Sequence, residues 1–212
     1  MGIRQSIGKL SGIRQDLKAY GMLTEIFVQQ QYYLLFRALK PNTTVIDVGA
    51  FMGDTAIYFA QSPNVDMVIA FEPIPATYRK GLSLLEKTPP ELRRKIDYRN
   101  GAIGSAPGSI LLSENYVGSG STRMQDAAAG KGASVQVSDL NTVTKEIEGR
   151  IALKIDCEGD EFLVLKGADL SKAYAIMLEY HSEELKRQIA ERLEKEGFKI
   201  EYVGPSLLFA ER

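Results

Sequence analysis

Two short, β-branched stretches of this chain each run into an acid and a turn, and that repetition limits its fold more than any other feature. Thr43-Thr44-Val45-Ile46-Asp47-Val48 reads as a strand buried on both faces, and Met67-Val68-Ile69-Ala70-Phe71 as a second of the same kind. Thr55 to Ala60 and Thr77 to Lys87 read as the helices that follow them, and Ile96 to Arg99 as a weaker third strand. Strand–helix alternation of this sort predicts a parallel sheet with right-handed crossovers.

The alternation then breaks. Ser109 to Ser113 and Ser134 to Val137 read as short strands around a Gly-, Ser- and Ala-rich stretch, Glu114 to Ala133. A connection that long without structure is usually functional, and its glycines suit a lid over substrate, with Tyr116, Ser121 and Arg123 on it. A solvated surface loop is the plainer reading. Alternation resumes with a strand from Ile151 to Asp156, a helix from about Asp160 to Lys166, a strand from Tyr174 to Tyr180 and a helix from Glu183 to Glu196. Gly197 is the expected helix stop. Phe198 to Val203 and Leu207 to Ala210 flank Gly204-Pro205-Ser206, a turn so tight that it joins antiparallel neighbours. The expectation is therefore an α/β, doubly wound, mostly parallel seven-stranded sheet with one antiparallel strand.

Upstream, Ile3, Ile7, Leu10, Ile13 and Leu17 fall on one helical face, and a second helical segment runs from Met22 to Leu39, ending before Pro41. Residues 1–40 thus form a helical lead-in and residues 41–212 one α/β domain. The first helix carries Arg4, Lys9, Arg14 and Lys18. These suit an anionic surface or a homodimer contact, with a solvated face over the core as the default.

Bulk properties narrow the function classes. Net charge is -1 with 25% charged residues, so nothing global draws the chain to nucleic acid. No apolar run approaches the ~18 residues of a membrane span, and no signal peptide is recognisable. The single cysteine, Cys157, cannot form an intrachain disulfide, which fits a cytoplasmic setting.

In open α/β sheets ligands bind beyond the carboxyl ends of the strands, where strand order reverses. Asp47, Gly49, Ala50, Phe51, Gly53 and Asp54 stand there after the first strand, and Glu72 and Pro73 after the second. Gly49 permits a sharp bend, and Gly53 lets backbone approach a ligand at a helix start. A carboxylate at Glu72 can accept hydrogen bonds from two ribose hydroxyls. Asn100, Gly101 and Ala102 should border an adenine. A dinucleotide fingerprint needs further glycines where Phe51 and Asp54 stand, and a bulky ring and an acid are poor neighbours for pyrophosphate. S-adenosyl-L-methionine has no phosphate, and its ammonium suits an acid such as Asp47. A dinucleotide-dependent oxidoreductase and a non-catalytic binding module on the same fold are the competing readings.

Four stretches together resemble the FkbM-type methyltransferase family. They are Val45-Ile46-Asp47-Val48-Gly49-Ala50, Ala70-Phe71-Glu72-Pro73, Asn100-Gly101-Ala102-Ile103-Gly104 and Lys154-Ile155-Asp156-Cys157-Glu158-Gly159-Asp160-Glu161. The likeness runs from about Pro41 to the C-terminus, and Phe51-Met52 departs from the smaller or polar residues frequent in the first loop. The resemblance implies a class I, Rossmann-like fold, bound S-adenosyl-L-methionine, and methyl transfer to an oxygen of a small molecule or a sugar.

For that chemistry the candidate catalytic residues are Asp156, Glu158 and His181, beyond the fourth and fifth strands. His181, the one histidine in the sequence, titrates nearest neutral pH and can take a hydroxyl proton; it reads equally as a packed or capping group. Glu158 and Glu161 are also what a helix N-terminus favours. Lys154, inside a buried strand, needs a partner, and Glu179 is the expected one. Carboxylates and imidazole suit Mg²⁺ or Mn²⁺, but no ligand spacing of the H-x-x-x-H kind supports a metal, and none is assigned.

Overall fold

The computed structural model of the protein describes residues 12–19, 26–27, 29, 31–112, 132–145 and 147–212. In chain order, α1 (Arg14–Ala19) and α2 (Tyr33–Ala38) precede β1 (Thr43–Val48), α3 (Asp54–Ala60), β2 (Val65–Glu72), α4 (Pro75–Glu86), α5 (Pro90–Arg93) and β3 (Ile96–Asn100). Next come β4 (Ala102–Gly104), β5 (Gly108–Leu112), β6 (Ala133–Asp139) and α6 (Leu140–Lys145). The chain closes with β7 (Arg150–Ile155), α7 (Glu161–Leu165), β8 (Ala173–Glu179), α8 (Glu183–Lys195), β9 (Lys199–Val203) and β10 (Leu207–Glu211).

Seven strands form one sheet in the order β3-β2-β1-β7-β8-β10-β9. All its pairs are parallel except those of β10, which inserts antiparallel between β8 and β9 after the Gly204 turn. Alternate residues of the inner strands face two separate cores, as a sheet covered on both sides requires. Val45, Val68, Ala152 and Met177 pack with α3, α4 and the lead-in residues Ile13, Phe27, Tyr32 and Leu35. Ile46, Ile69, Leu153 and Ile176 pack with α6, α7 and α8. The doubly wound arrangement expected from the alternation is present.

The two short strands around the Gly-rich stretch pair with each other, but in a sheet of their own, ordered β4-β6-β5. Neither β4 nor α6 is evident from residue pattern: three and six residues are too few to show a period. The expected helix from Met22 to Leu39 is a correction. Ile26 and Phe27 lie in a wider turn, the chain turns again at Gln31 and Tyr32, and helix resumes only at Tyr33. The interruption carries side chains to the sheet's carboxyl edge, described below. Of the expected helix from Ile3 to Leu17, only the part beyond residue 11 lies within the described residues, and most of the stretch from Glu114 to Ala133 lies outside them. Among the described residues no helix is long and apolar enough to cross a membrane.

Strand order reverses between β1 and β7, and the chain there is tight. Asp156 N–H donates to the Val48 carbonyl at 3.0 Å, and both Gly49 and Ala50 N–H donate to the Phe71 carbonyl. Gly49 has φ +76°, and a Cβ on it would stand 1.7 Å from the Asp156 carbonyl oxygen, so only glycine fits this bend. Gly49→Ala is expected to lower the thermal midpoint by about 10 °C, from a loss on the order of 3 kcal/mol or more. Gly108→Ala, where an added Cβ meets nothing within 4 Å, is expected to stay within ~0.5 kcal/mol of the parent. Equal melting of the two variants would refute this account of the bend.

Candidate cofactor and acceptor site

Register decides how the first acid is used. Asp47 on β1 is the direct neighbour of Lys154 on β7, while Lys154 faces Met177 on its other side. The ammonium accordingly lies 3.2 Å from Asp47 Oδ1, an ion pair outside ideal hydrogen-bond angles, and donates to the Gly49 carbonyl at 2.7 Å. The Thr55 hydroxyl donates to the other Asp47 oxygen. Burial opposes the Lys154 charge, but attraction to Asp47 and Asp156 more than offsets it, and its pKa rises above the ordinary lysine value. The expected Lys154–Glu179 pair is thus corrected. Glu179 sits two residues further along β8, opposite Leu207, and accepts from Gln31 Nε2 at 3.2 Å and the Ser206 hydroxyl at 2.9 Å. Asp47 is fully buried beneath the bend, with its charge already compensated.

Beside that pair the loop Ala50–Asp54 bends back on itself. Phe51 holds φ +47° and Gly53 φ +79°, and the Gly53 N–H closes onto the Ala50 carbonyl at 2.7 Å. Tyr98 from β3 donates its hydroxyl to the Phe51 carbonyl and so pins the loop from the far side. Asp54 opens α3 with its carboxyl buried, and Oδ1 meets no donor among the described residues. Burial pushes it up to about 7. Glu72, at the end of β2, is pushed up to about 8 by burial, although the Ile74 N–H donates to it at 2.8 Å. Pro73 follows, and Asn100 spends its amide on the Glu72 and Pro73 carbonyls. Gly101 N–H also donates to the Glu72 carbonyl, at 3.2 Å, and Ala102 is buried behind it. Two buried carboxyls beyond adjacent strands, Asp54 with one oxygen that meets no donor among the described residues, suit a ligand rich in hydroxyl and ammonium donors.

On the other side of the bend lie the residues expected for chemistry. Asp156 is three-quarters covered, with Lys154 3.9 Å from Oδ2 and the Tyr32 hydroxyl donating to the same oxygen at 3.3 Å. Glu158 holds φ +58°, and its carboxyl, pushed up to about 7 by burial and by Asp156, lies 3.3 Å from His181 Nε2. His181 Nδ1 meets Glu161 Oε1 at 2.9 Å. Asp156, Glu158 and His181 therefore converge as expected, each offering an atom within 4.8 Å of the others, a spacing that one divalent ion can bridge. Residue pattern alone does not reveal Tyr32 and Gln31, which reach this cluster from the lead-in, or the grip of Glu161 on the histidine. A single aromatic at the end of an aromatic-rich run carries no signal of such a contact.

A mostly parallel seven-stranded sheet ending in an antiparallel hairpin, with acids after β1 and β2 and a second polar cluster after β7 and β8, is the architecture of class I S-adenosyl-L-methionine-dependent methyltransferases. The methyltransferase FkbM domain model matches residues 47–200, and the chain belongs to that family. The fold is shared with the FkbM methyltransferase of Methylobacillus flagellatus, at 14% identity and TM-score 0.58, over 98% of this chain and 57% of that one. This chain thus spans little more than half of that relative. The precorrin-6y C5,15-methyltransferase of Geobacter metallireducens matches at 12% identity and TM-score 0.52, over 87% of this chain and 88% of its own. Sp1610 of Streptococcus pneumoniae, crystallised with S-adenosyl-L-methionine, matches at 14% identity and TM-score 0.51, over 85% and 70%. No curated protein matches the sequence.

Lys154→Met leaves Asp47 charged and buried without its partner, and is expected to cost about 3–5 kcal/mol in urea denaturation. Adding Asp47→Asn should recover part of that loss; a double variant no better than Lys154→Met would show that the pair is not the cause. Glu72 sets a pH dependence. Its carboxyl titrates near 4.5 when free and near 8 in the ligand-free fold. Between these values the folded state keeps a proton that the unfolded chain has lost, so stability falls as pH rises through this window and levels off above it. In Glu72→Gln the decline of the melting temperature from pH 5 to pH 8 is expected to be shallower, with Asp54 and Glu158 sustaining what remains below about pH 7. An unchanged slope would contradict the burial argument.

Proposed function

We propose that the protein transfers the methyl group of S-adenosyl-L-methionine to a hydroxyl oxygen of a small molecule or a glycan. The observation that carries this reading is the convergence of His181, Glu158 and Asp156 beyond β7 and β8, next to the bend that separates them from Asp54 and Glu72. Glu72 would hold the ribose hydroxyls and Asp54 a polar group of the methionine end, while the bend from Gly49 to Gly53, Pro73 and the Asn100–Ala102 turn would shape the walls. Asp47 acts beneath them, holding Lys154 and so the bend. When bound, S-adenosyl-L-methionine would supply an activated methyl carbon, with the carbon–sulfur electron pair staying on sulfur as oxygen takes the methyl.

What remains for the protein is to align the acceptor and take its proton. His181 would take the proton on a ring-nitrogen lone pair, with the Glu158 and Glu161 carboxyls beside the ring. Asp156, steadied by Lys154 and Tyr32, would accept a hydrogen bond from the acceptor and orient it. The balanced overall charge favours an uncharged acceptor over nucleic acid. The free thiol of Cys157 suits a reducing, cytoplasmic compartment.

A screen of tritiated methyl transfer against hydroxylated small molecules and oligosaccharides tests the reading. With the acceptor so found, His181→Ala should lower kcat by about 10²–10⁴-fold while binding of S-adenosylhomocysteine stays near the parent value. Transfer confined to nitrogen or carbon acceptors, or full activity in His181→Ala, would overturn it.

A further inference from the structure

Glu161 is a further buried acid at this end of the sheet. It opens α7 and is completely buried, yet among the described residues its Oε2 meets no donor. All its visible partners gather on Oε1. The backbone N–H groups of Cys157 and Gly159 donate to it at 3.3 and 2.8 Å, and His181 Nδ1 lies 2.9 Å away. The loop is shaped for this, since Glu158 at φ +58° and Gly159 at φ +108° curl the chain so that the two amides converge. An oxygen that already takes two amide hydrogens is an acceptor, so the proton between Glu161 and His181 comes from Nδ1. In the neutral ring that leaves Nε2 bare. Nε2 is also the nitrogen that points at Glu158.

We infer that Glu161 is a positioning residue that locks His181 in its Nδ1–H form, so that Nε2 is the atom that accepts the acceptor's proton. The inference rests on the proposed reading of His181 as the base. The hydroxyl O–H bond breaks, its hydrogen bonds to the Nε2 lone pair, and the oxygen keeps the electrons for the methyl carbon. The imidazolium so formed donates through Nδ1 to Glu161 and through Nε2 toward Glu158. The charged groups around the ring are Glu161 on α7, Glu158 and Asp156 beyond β7, and Glu179 at the end of β8. All are carboxyls. A Glu161 that served only to tie the loop to α7 would gain nothing from meeting the ring, and one bare buried oxygen is a cost that a binding or catalytic role explains better.

Because His181 is the sole histidine of the sequence, ¹⁵N-imidazole NMR of the full chain reads it without assignment. In the parent protein with S-adenosylhomocysteine, the neutral ring is expected to show a protonated Nδ1 and a bare Nε2. In Glu161→Gln that preference should fade into a mixture of tautomers. S-adenosylhomocysteine affinity should remain within about twofold, as expected for a fold left intact, and kcat should fall by on the order of 10²-fold or more at unchanged KM. A parent ring protonated on Nε2, or a Glu161→Gln ring indistinguishable from the parent, would sink the inference. So would Mn²⁺ broadening the His181 signals together with EDTA abolishing transfer, since Nε2 would then be a metal ligand. The tautomer is read without any acceptor. Failure of the base reading, seen as full activity in His181→Ala, is therefore distinguishable from failure of the positioning role.

Discussion

A single ammonium, Lys154, sits where the first and fourth parallel strands of the main sheet meet, and the site on either side is arranged around it. Lysine inside a sheet is costly unless its charge is met, and here Asp47 meets it across the β1–β7 register. The remaining donors are not idle. One reaches the Gly49 carbonyl, which fixes the bend, and the ammonium lies 3.9 Å from Asp156, just beyond the end of its own strand. The Tyr32 ring covers it at 5.6 Å. One charge thus links the Gly49 bend, the Asp156 carboxylate and a turn from the lead-in. Displacing it would shift all three together.

How much of this can be read from residues depends on how local each determinant is. The strands are legible because β-branched runs bounded by turn formers are a short-range signal, and the final hairpin because Gly204-Pro205-Ser206 allows no crossover. The acids at strand ends are legible from the general rule that α/β sheets bind ligands there. Register is not local. Whether Lys154 meets Asp47 or Glu179 depends on which strand lies beside β7 and at what offset, and a pattern along one strand contains neither fact. The same limit hides Tyr32 and Gln31, more than 100 residues from their partners Asp156 and Glu179. It also hides Glu161, whose ordinary place in a first helical turn gives no hint that a histidine 20 residues later will meet it.

The lead-in illustrates how a propensity yields to tertiary demand. An unbroken helix from Met22 to Leu39 would satisfy its own hydrogen bonds, yet the chain turns at Gln31 and Tyr32. Tyr32 is almost wholly buried against Phe59, with its hydroxyl on Asp156, and Gln31 binds Glu179. Two side-chain hydrogen bonds and a buried ring outweigh the few helical bonds given up. Ile13, Phe27 and Leu35 share the core of Phe59 and Ile57. The turn is therefore held from below by packing as well as from above by polar contacts.

The charge pattern of the crevice gives a firmer reason for a sulfonium cofactor than glycine spacing does. Asp47, Asp54, Glu72, Asp156, Glu158, Glu161 and Glu179 crowd the carboxyl ends of β1, β2, β7 and β8 around Lys154. The crowding has a measurable consequence. Burial, with other acids adding to it, pushes Asp54 and Glu158 up to about 7 and Glu72 up to about 8, and raises Glu179 as well. A diphosphate placed here would add charge of the same sign and drive these groups further toward protonation. A ligand bearing an ammonium and a sulfonium does the reverse, allowing the carboxyls to ionise and binding more tightly as they do. A thioether product, with no charge on sulfur, would be attracted less strongly by the same carboxyls, so this acidic field would favour a sulfonium donor over its product.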